Sequence, residues 1–197
     1  MKTRRYIILG IILILSSTNS LFAQSTGLYL NSSDFDSART SFVKKEKLKY
    51  KFQVDNPFNG SYVKVVLGDS TFRFNKDSIF GYRDENKINY RFYHTKTYQI
   101  LNPTEEILLY CITTNVDPKS NHFEFTYFFS INASASISPL TKFNLKRAFP
   151  NDSNFHELID IYFNNDLDLL SYDSYYNKYK INRLYQLGKK IKCEKHY

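Results

Sequence analysis

The chain has no tryptophan, one methionine and two cysteines in 197 residues. Two cysteines permit one disulfide at most, so no cystine framework can carry this fold. Cys111 lies in the apolar run "EILLYCIT" and Cys193 in a polar C-terminal stretch, a poor match for a bridge, and two unpaired thiols are expected. Neither cysteine follows the N-terminal apolar run, where a lipoprotein would carry its lipid. Sugar-binding surfaces usually include tryptophan, so the tyrosines are read first as core. There is no HExxH, no CxxC and no histidine pair at metal-ligand spacing. Asp166 and Asp168 in "NNDLD" lack the glycine and distal glutamate of a calcium loop and read as a helix-connecting turn. Neither a metal nor a cofactor is expected. Beyond the N-terminus, no apolar run approaches the roughly 20 residues a membrane span needs.

What is present begins with an export signal. Lys2, Arg4 and Arg5 precede the apolar stretch Tyr6 to Leu15, and "SSTNSLFA" ends at a small residue, Ala23. That order of basic, apolar and small residues predicts a signal peptide over 1–23 and a mature chain over 24–197. An uncleaved anchor is the other reading, but the apolar run is short for one. Removing 1–23 takes away three cations and no acid, so the formal charge falls from +8 to +5. The expected location is periplasmic, outer-membrane-associated or extracellular. An exported chain without a compact run of cations and stacking rings is not expected to bind nucleic acid. The most basic stretch, "GKKIKCEKHY", is either a contact for an anionic envelope surface or a solvated tail.

About 174 residues suit one domain with a real core. Aromatic residues make up 17% of the chain, as 17 Tyr and 17 Phe, and they fit a β-rich core. Up to about residue 131, short segments alternate. "YVKVVL", "STFRF", "NYRFY" and "HFEFTYFF" each place apolar residues on one face and polar ones on the other. "EILLYCI" is apolar on both faces and reads as a central strand. From about 138 the period lengthens. Ser138 is read as an N-cap with Pro139 in the first turn, Asp152 as a second cap, and Tyr172 to about Lys190 as a third helix. The expected fold is therefore α+β: an antiparallel sheet, partly closed barrel or sandwich from strands over about 28–131, followed by two or three helices over about 138–190 packed on it.

Two stretches invite a chemical reading. "VVLGDSTFRF" contains the Gly-Asp-Ser with which one class of esterases opens its nucleophile block. Here Ser70 leads into alternation, and none of His94, His122, His156 and His196 has an Asp three residues upstream. A triad is therefore not supported, and Gly68-Asp69 reads as a type II′ hairpin loop, which takes glycine first because that position needs positive φ. "KDSIFGYRDENKINYRFY" repeats a Tyr-Arg step on either side of a turn. If the strands pair, Tyr82, Arg83, Tyr90 and Arg91 either form a ligand-binding set for an anion or sugar or brace one another across a hairpin.

The stretches "GLYL" with "SDF", "GDSTFRFNKDSIFGYRD", "PLTKFNLKRAFP", "FHELID" and "YKINRLY" resemble a family of short, uncharacterised exported proteins of Bacteroidetes-type bacteria. The resemblance implies an exported envelope or extracellular protein and transfers no catalytic residue. The leading expectation is a non-enzymatic binding or structural module of the cell envelope, with an envelope component or a protein as its partner. The alternatives are a hydrolase of envelope or host polymers using carboxylates that the sequence does not single out, and a β-rich carrier of an apolar ligand.

Overall fold

The computed structural model describes residues 25–44, 48–54, 60–117, 119–120 and 122–194. The expected signal peptide lies outside them. In chain order the elements are β1 (Gly27–Tyr29), α1 (Ser32–Asp36), β2 (Tyr50–Gln53), β3 (Tyr62–Leu67), β4 (Ser70–Asn75), β5 (Gly81–Arg83), β6 (Asn89–Tyr93), β7 (Lys96–Ile100), β8 (Leu108–Asp117), β9 (His122–Ser130) and β10 (Ser138–Pro139). Then come α2 (Lys142–Ala148), α3 (Ser153–Tyr162), a 3-10 turn (Asp166–Leu170), β11 (Tyr172–Asp173), β12 (Lys178–Tyr179) and α4 (Lys180–Glu194). The protein is α+β.

Seven strands form an antiparallel sheet in the order β1-β5-β6-β7-β8-β9-β10, so consecutive hairpins build most of it. A second sheet, β2-β3-β4, is a meander. In its last hairpin Leu67 pairs with Ser70, and the two-residue loop has positive φ at Gly68, +62°, but not at Asp69. That is the pattern of a type II′ turn, which joins antiparallel strands without splaying them.

The large sheet is covered on both faces. On one face Leu28, Tyr82 and Phe92 meet Val63 and Val65 of the small sheet. Farther along that face Leu109 and Phe129 pack against Leu145, Phe155, Ile159, Ile181 and Leu184 of the helices. The opposite face joins Tyr29, Tyr98, Ile100 and Tyr110 to Phe35 of α1 and Ala133 of the loop after β9. Each fully buried Phe or Leu contributes roughly 1.5–3 kcal/mol, so three such clusters stabilise the fold with no cross-link. Cys111 is buried, Cys193 is exposed, and both are free thiols.

Three expectations need correction. Ser138 and Pro139 do not start a helix: they pair with Phe129 and Phe128 as an edge strand, where a proline costs no ladder bond if its nitrogen points outward. The cap is Thr141, whose hydroxyl accepts from Asn144 N–H at 3.1 Å. The third helix begins at Lys180, not Tyr172, because residues 172–179 form the β11–β12 hairpin. Arg91 is not solvent-facing opposite Tyr90 and Phe92, because the second face of the sheet is buried too, and Arg91 is 5% exposed. Asp152 does cap α3, accepting from Phe155 N–H at 3.1 Å.

Candidate functional site

The Tyr-Arg repeat is brought together in register but divided between faces. Tyr82 lies opposite Tyr90, and Gly81 opposite Arg91. The Tyr82 and Tyr90 rings stack with centroids 4.6 Å apart and planes 8° from parallel. Tyr82 also meets Phe52 of β2 and Phe92, so this pair glues the two sheets. Arg91 points to the other face. Its guanidinium donates to Tyr110 Oη at 2.9 Å and to Ala135 O at 2.7 Å, surrounded by the Phe80, Tyr93 and Tyr110 rings. Arg83 is half-buried beside Tyr29, whose hydroxyl donates to Asn89 at 2.7 Å. The stacked tyrosines thus brace the two sheets across the β5–β6 pair, while the alternation of the strands turns Arg83 and Arg91 to the other face.

Ser70 is exposed at the first position of β4, with a strand after it and no helix. His156 is a structural group as well. Its Nε2 lies 3.1 Å from Lys146 O and 2.9 Å from Phe149 O, so it donates to the carbonyls that close α2. The 3-10 turn at Asp166–Leu170 is held by a capping box between Asn165 and Asp168, and Asp166 accepts from Lys142 N–H at 2.8 Å, so both aspartates of "NNDLD" have structural partners.

Polar and charged side chains converge instead at the C-terminal hairpin and α4. In "SYDSYYNKYK" the chain reverses over 174–177. Asp173 accepts from Tyr176 N–H at 3.3 Å, Tyr172 Oη donates to Asn177 at 2.6 Å, and Asn177 takes φ +51°. Asn and Asp suit such turns because their side chains replace backbone partners and tolerate the left-handed region. The hairpin stands against the face of α4 that carries Arg183, Gln186, Leu187 and Lys190, positions three and four apart. With Tyr176 and Lys178 these residues line a groove of about 210 Å³.

The charge in this groove is unbalanced. Lys178, Arg183 and Lys190 face it, and Asp173 is the carboxylate beside them. Arg183 Nε lies 3.1 Å from Asp173 Oδ2 but off the line a hydrogen bond needs, so that donor is unspent. The guanidinium sits 5.2 Å from the Tyr176 ring centre. Lys178 donates to the neutral Gln186 at 3.1 Å. Lys190 makes no hydrogen bond or ion pair with any described residue. Three cations around one hollow, of which Arg183 is ion-paired with Asp173 and Lys178 is bonded to a neutral amide, attract an anion more strongly than scattered surface charges do. A second, comparable hollow of about 230 Å³ beside Ser138, Asn144 and Ala148 has a single cation, Arg147.

Behind the hairpin, Glu105 accepts from Tyr179 N–H at 3.2 Å and ties β12 to the loop before β8. Burial pushes this carboxyl above its ordinary range, against the pull of the Tyr179 N–H and the Lys178 charge. The Asn102 and Asn182 amides donate to Ile107 O and also lie beside the carboxyl, drawing it down, but neither makes a well-formed hydrogen bond to the buried Glu105 Oε2. The Tyr179 hydroxyl is likewise raised, first by burial and then by Glu105, Tyr127, Tyr172 and Cys111. The hairpin therefore stands on the β8–β9 face.

Helical periodicity alone did not reveal this site, because four tyrosines at helix-compatible spacing concealed a hairpin. The usable signal was the Asp-x-x-x-Asn turn between them. No family model, curated protein or solved structure matches the chain. Among the described residues, no helix is long and apolar enough to cross a membrane.

Proposed function

We propose that this protein is an exported binding module that holds an anionic component of the cell envelope in the groove between the β11–β12 hairpin and α4. The groove carries this reading: among the described residues three cations and a flanking ring line a single hollow, with Asp173 beside Arg183 and Glu105 behind Lys178. The N-terminal order of cations, apolar run and small residue supports export. An anionic group entering the groove would accept from Arg183 and Lys190 without displacing the Lys178–Gln186 bond. Arg183 supplies a planar, fixed set of donors, and Lys190 a mobile charge that can follow the ligand.

The test is a thermal-shift titration at low ionic strength with pyrophosphate and citrate as compact polyanions. Saturation to about 100 times the dissociation constant should add roughly 2.7 kcal/mol of stability. The shift should shrink with added salt and vanish in Arg183→Gln combined with Lys190→Ser. An equal shift in that double variant would refute the groove. Export has its own readout: a secreted form beginning after Ala23 is expected, and retention of residues 1–23 would refute it.

A further inference from the structure

The second feature that projects from the molecule is the far half of the β8–β9 ribbon. The last β7 pairings to β8 are at Gln99 and Ile100, with Cys111 and Tyr110, and β10 reaches only Phe129 and Phe128. Beyond these rungs the two strands run on as a pair, to Asp117 opposite His122. Side chains two apart share a face, so Phe123, Phe125 and Tyr127 form one row about 14 Å long. The row does not end in the core. Phe123 is 47% and Phe125 58% exposed, while Tyr127 packs beside the helices. Tyr127 and Tyr179 both pack against the same helix cluster, and the Tyr179 ring meets Tyr172 edge-on at 5.4 Å. Tyr172 is 53% exposed and Tyr175, at the hairpin tip, 86%. One ribbon of rings thus runs from the open strands to the hairpin that walls the cationic groove.

We infer that this aromatic strip and the groove form one extended site for a sparsely charged acidic glycan, with an acidic sugar in the groove and neutral sugars along the rings. The inference rests on the groove reading above. Three observations select this polymer. The groove is lined by three cations, whereas the residues paired with the two phenylalanines carry no charge. Across the ribbon from Phe125 and Phe123 stand Thr113 and Asn115, a hydroxyl and an amide, which suit sugar hydroxyls. A nucleic-acid strand carries a phosphate at every unit and is held by cations along its whole track, and the strip has none opposite its phenylalanines. Exposed Phe and Tyr rings offer the apolar plates on which the C–H faces of sugars stack, so tyrosine and phenylalanine do here what tryptophan does elsewhere.

The experiment titrates the purified protein with hyaluronan tetrasaccharide and decasaccharide, whose acidic and neutral sugars alternate. A neutral cello-oligosaccharide and a ten-nucleotide oligo-dT are run beside them. The decasaccharide should bind at least about fivefold tighter than the tetrasaccharide, the scale of one good aromatic contact. Phe125→Ser should remove that gain and leave the tetrasaccharide unchanged. Lys190→Ser should weaken both. Phe125 is exposed, so an unchanged melting temperature will certify that its variant is folded. A length gain that survives Phe125→Ser overturns the strip and leaves the groove standing. Oligo-dT or the neutral glycan binding tighter than the decasaccharide overturns the ligand class. Tetrasaccharide binding that is absent, or unaffected by Lys190→Ser, overturns the groove and the strip with it.

Discussion

Glu105 shows how one side chain can serve a site at a cost in stability. Its carboxylate anchors the hairpin through Tyr179 N–H, yet one oxygen is buried without a well-formed bond. The desolvated carboxyl keeps its proton to higher pH than an exposed glutamate, whose ordinary value is 4.5. Between those two values the folded chain holds a proton that the unfolded chain has lost. Stability therefore falls as pH rises through this window and stays lower above it. Glu105→Gln keeps an oxygen for Tyr179 N–H and cannot ionise. It should melt above the parent at pH 7, and the gap should close by pH 4, where both forms are neutral. Equal melting curves at pH 7 would show that water reaches the carboxylate. Arg91 poses the related problem with the opposite charge. Alternation in "NYRFY" marks it as outward, but what buries it is α1 and the loop after β9, and no local pattern encodes that distant cover.

At the scale of elements, two glycines do different work in two hairpins. Gly68 turns the chain with φ +62°, and a side chain there would have nothing nearer than a methyl of Leu48 at 3.8 Å. Its substitution costs backbone strain alone, roughly 1–2 kcal/mol. Gly81 has ordinary φ, but a Cβ would overlap the Tyr90 carbonyl oxygen across the β5–β6 pair. Urea unfolding should show Gly68→Ala losing about 1–2 kcal/mol and Gly81→Ala about 3 kcal/mol, through separation of the strands. If the order is reversed, the close approach of β5 to β6 is relaxed in solution. The first glycine was legible in the sequence, because Gly-Asp sits between two alternating runs. The second was not, since only the register reveals the clash. The same division holds for the other elements. Longer alternating strands and the Asp152 cap could be read directly. β1 has three residues, all buried, too few to show a period. The hairpin at 172–179 has strands of two residues, and its tyrosines mimic a helical face. The candidate groove was unreadable for that reason: its walls belong to an element whose type had to be settled first.

At the scale of the whole molecule, the thiols test how the layers are held. Cys111 lies in β8 between the sheet and the elements that cover it, while Cys193 is exposed near the end of α4. The three apolar clusters join the small sheet, the large sheet, α1 and the helices, so closure of the fold requires no bridge between the two cysteines. Burial also pushes the Cys111 thiol above its ordinary value, and only the thiolate attacks an aromatic disulfide reagent. Two effects then act in the same direction on Cys111: lack of access and lack of charge. The native protein, purified without reductant, should react at one thiol per chain, at Cys193, and at a second only as urea opens the sheet. The second thiol should appear at the same urea concentration as the loss of near-ultraviolet tyrosine signal, because Cys111 is released only when β8 parts from its neighbours. Release at lower urea would mean that the helices and hairpin leave the sheet before it unfolds. No thiol in denaturant would mean that Cys111 and Cys193 are joined, and α4 would then have to sit elsewhere on the sheet. The groove, built from α4 and the hairpin together, is native in the first two outcomes and is excluded by the third.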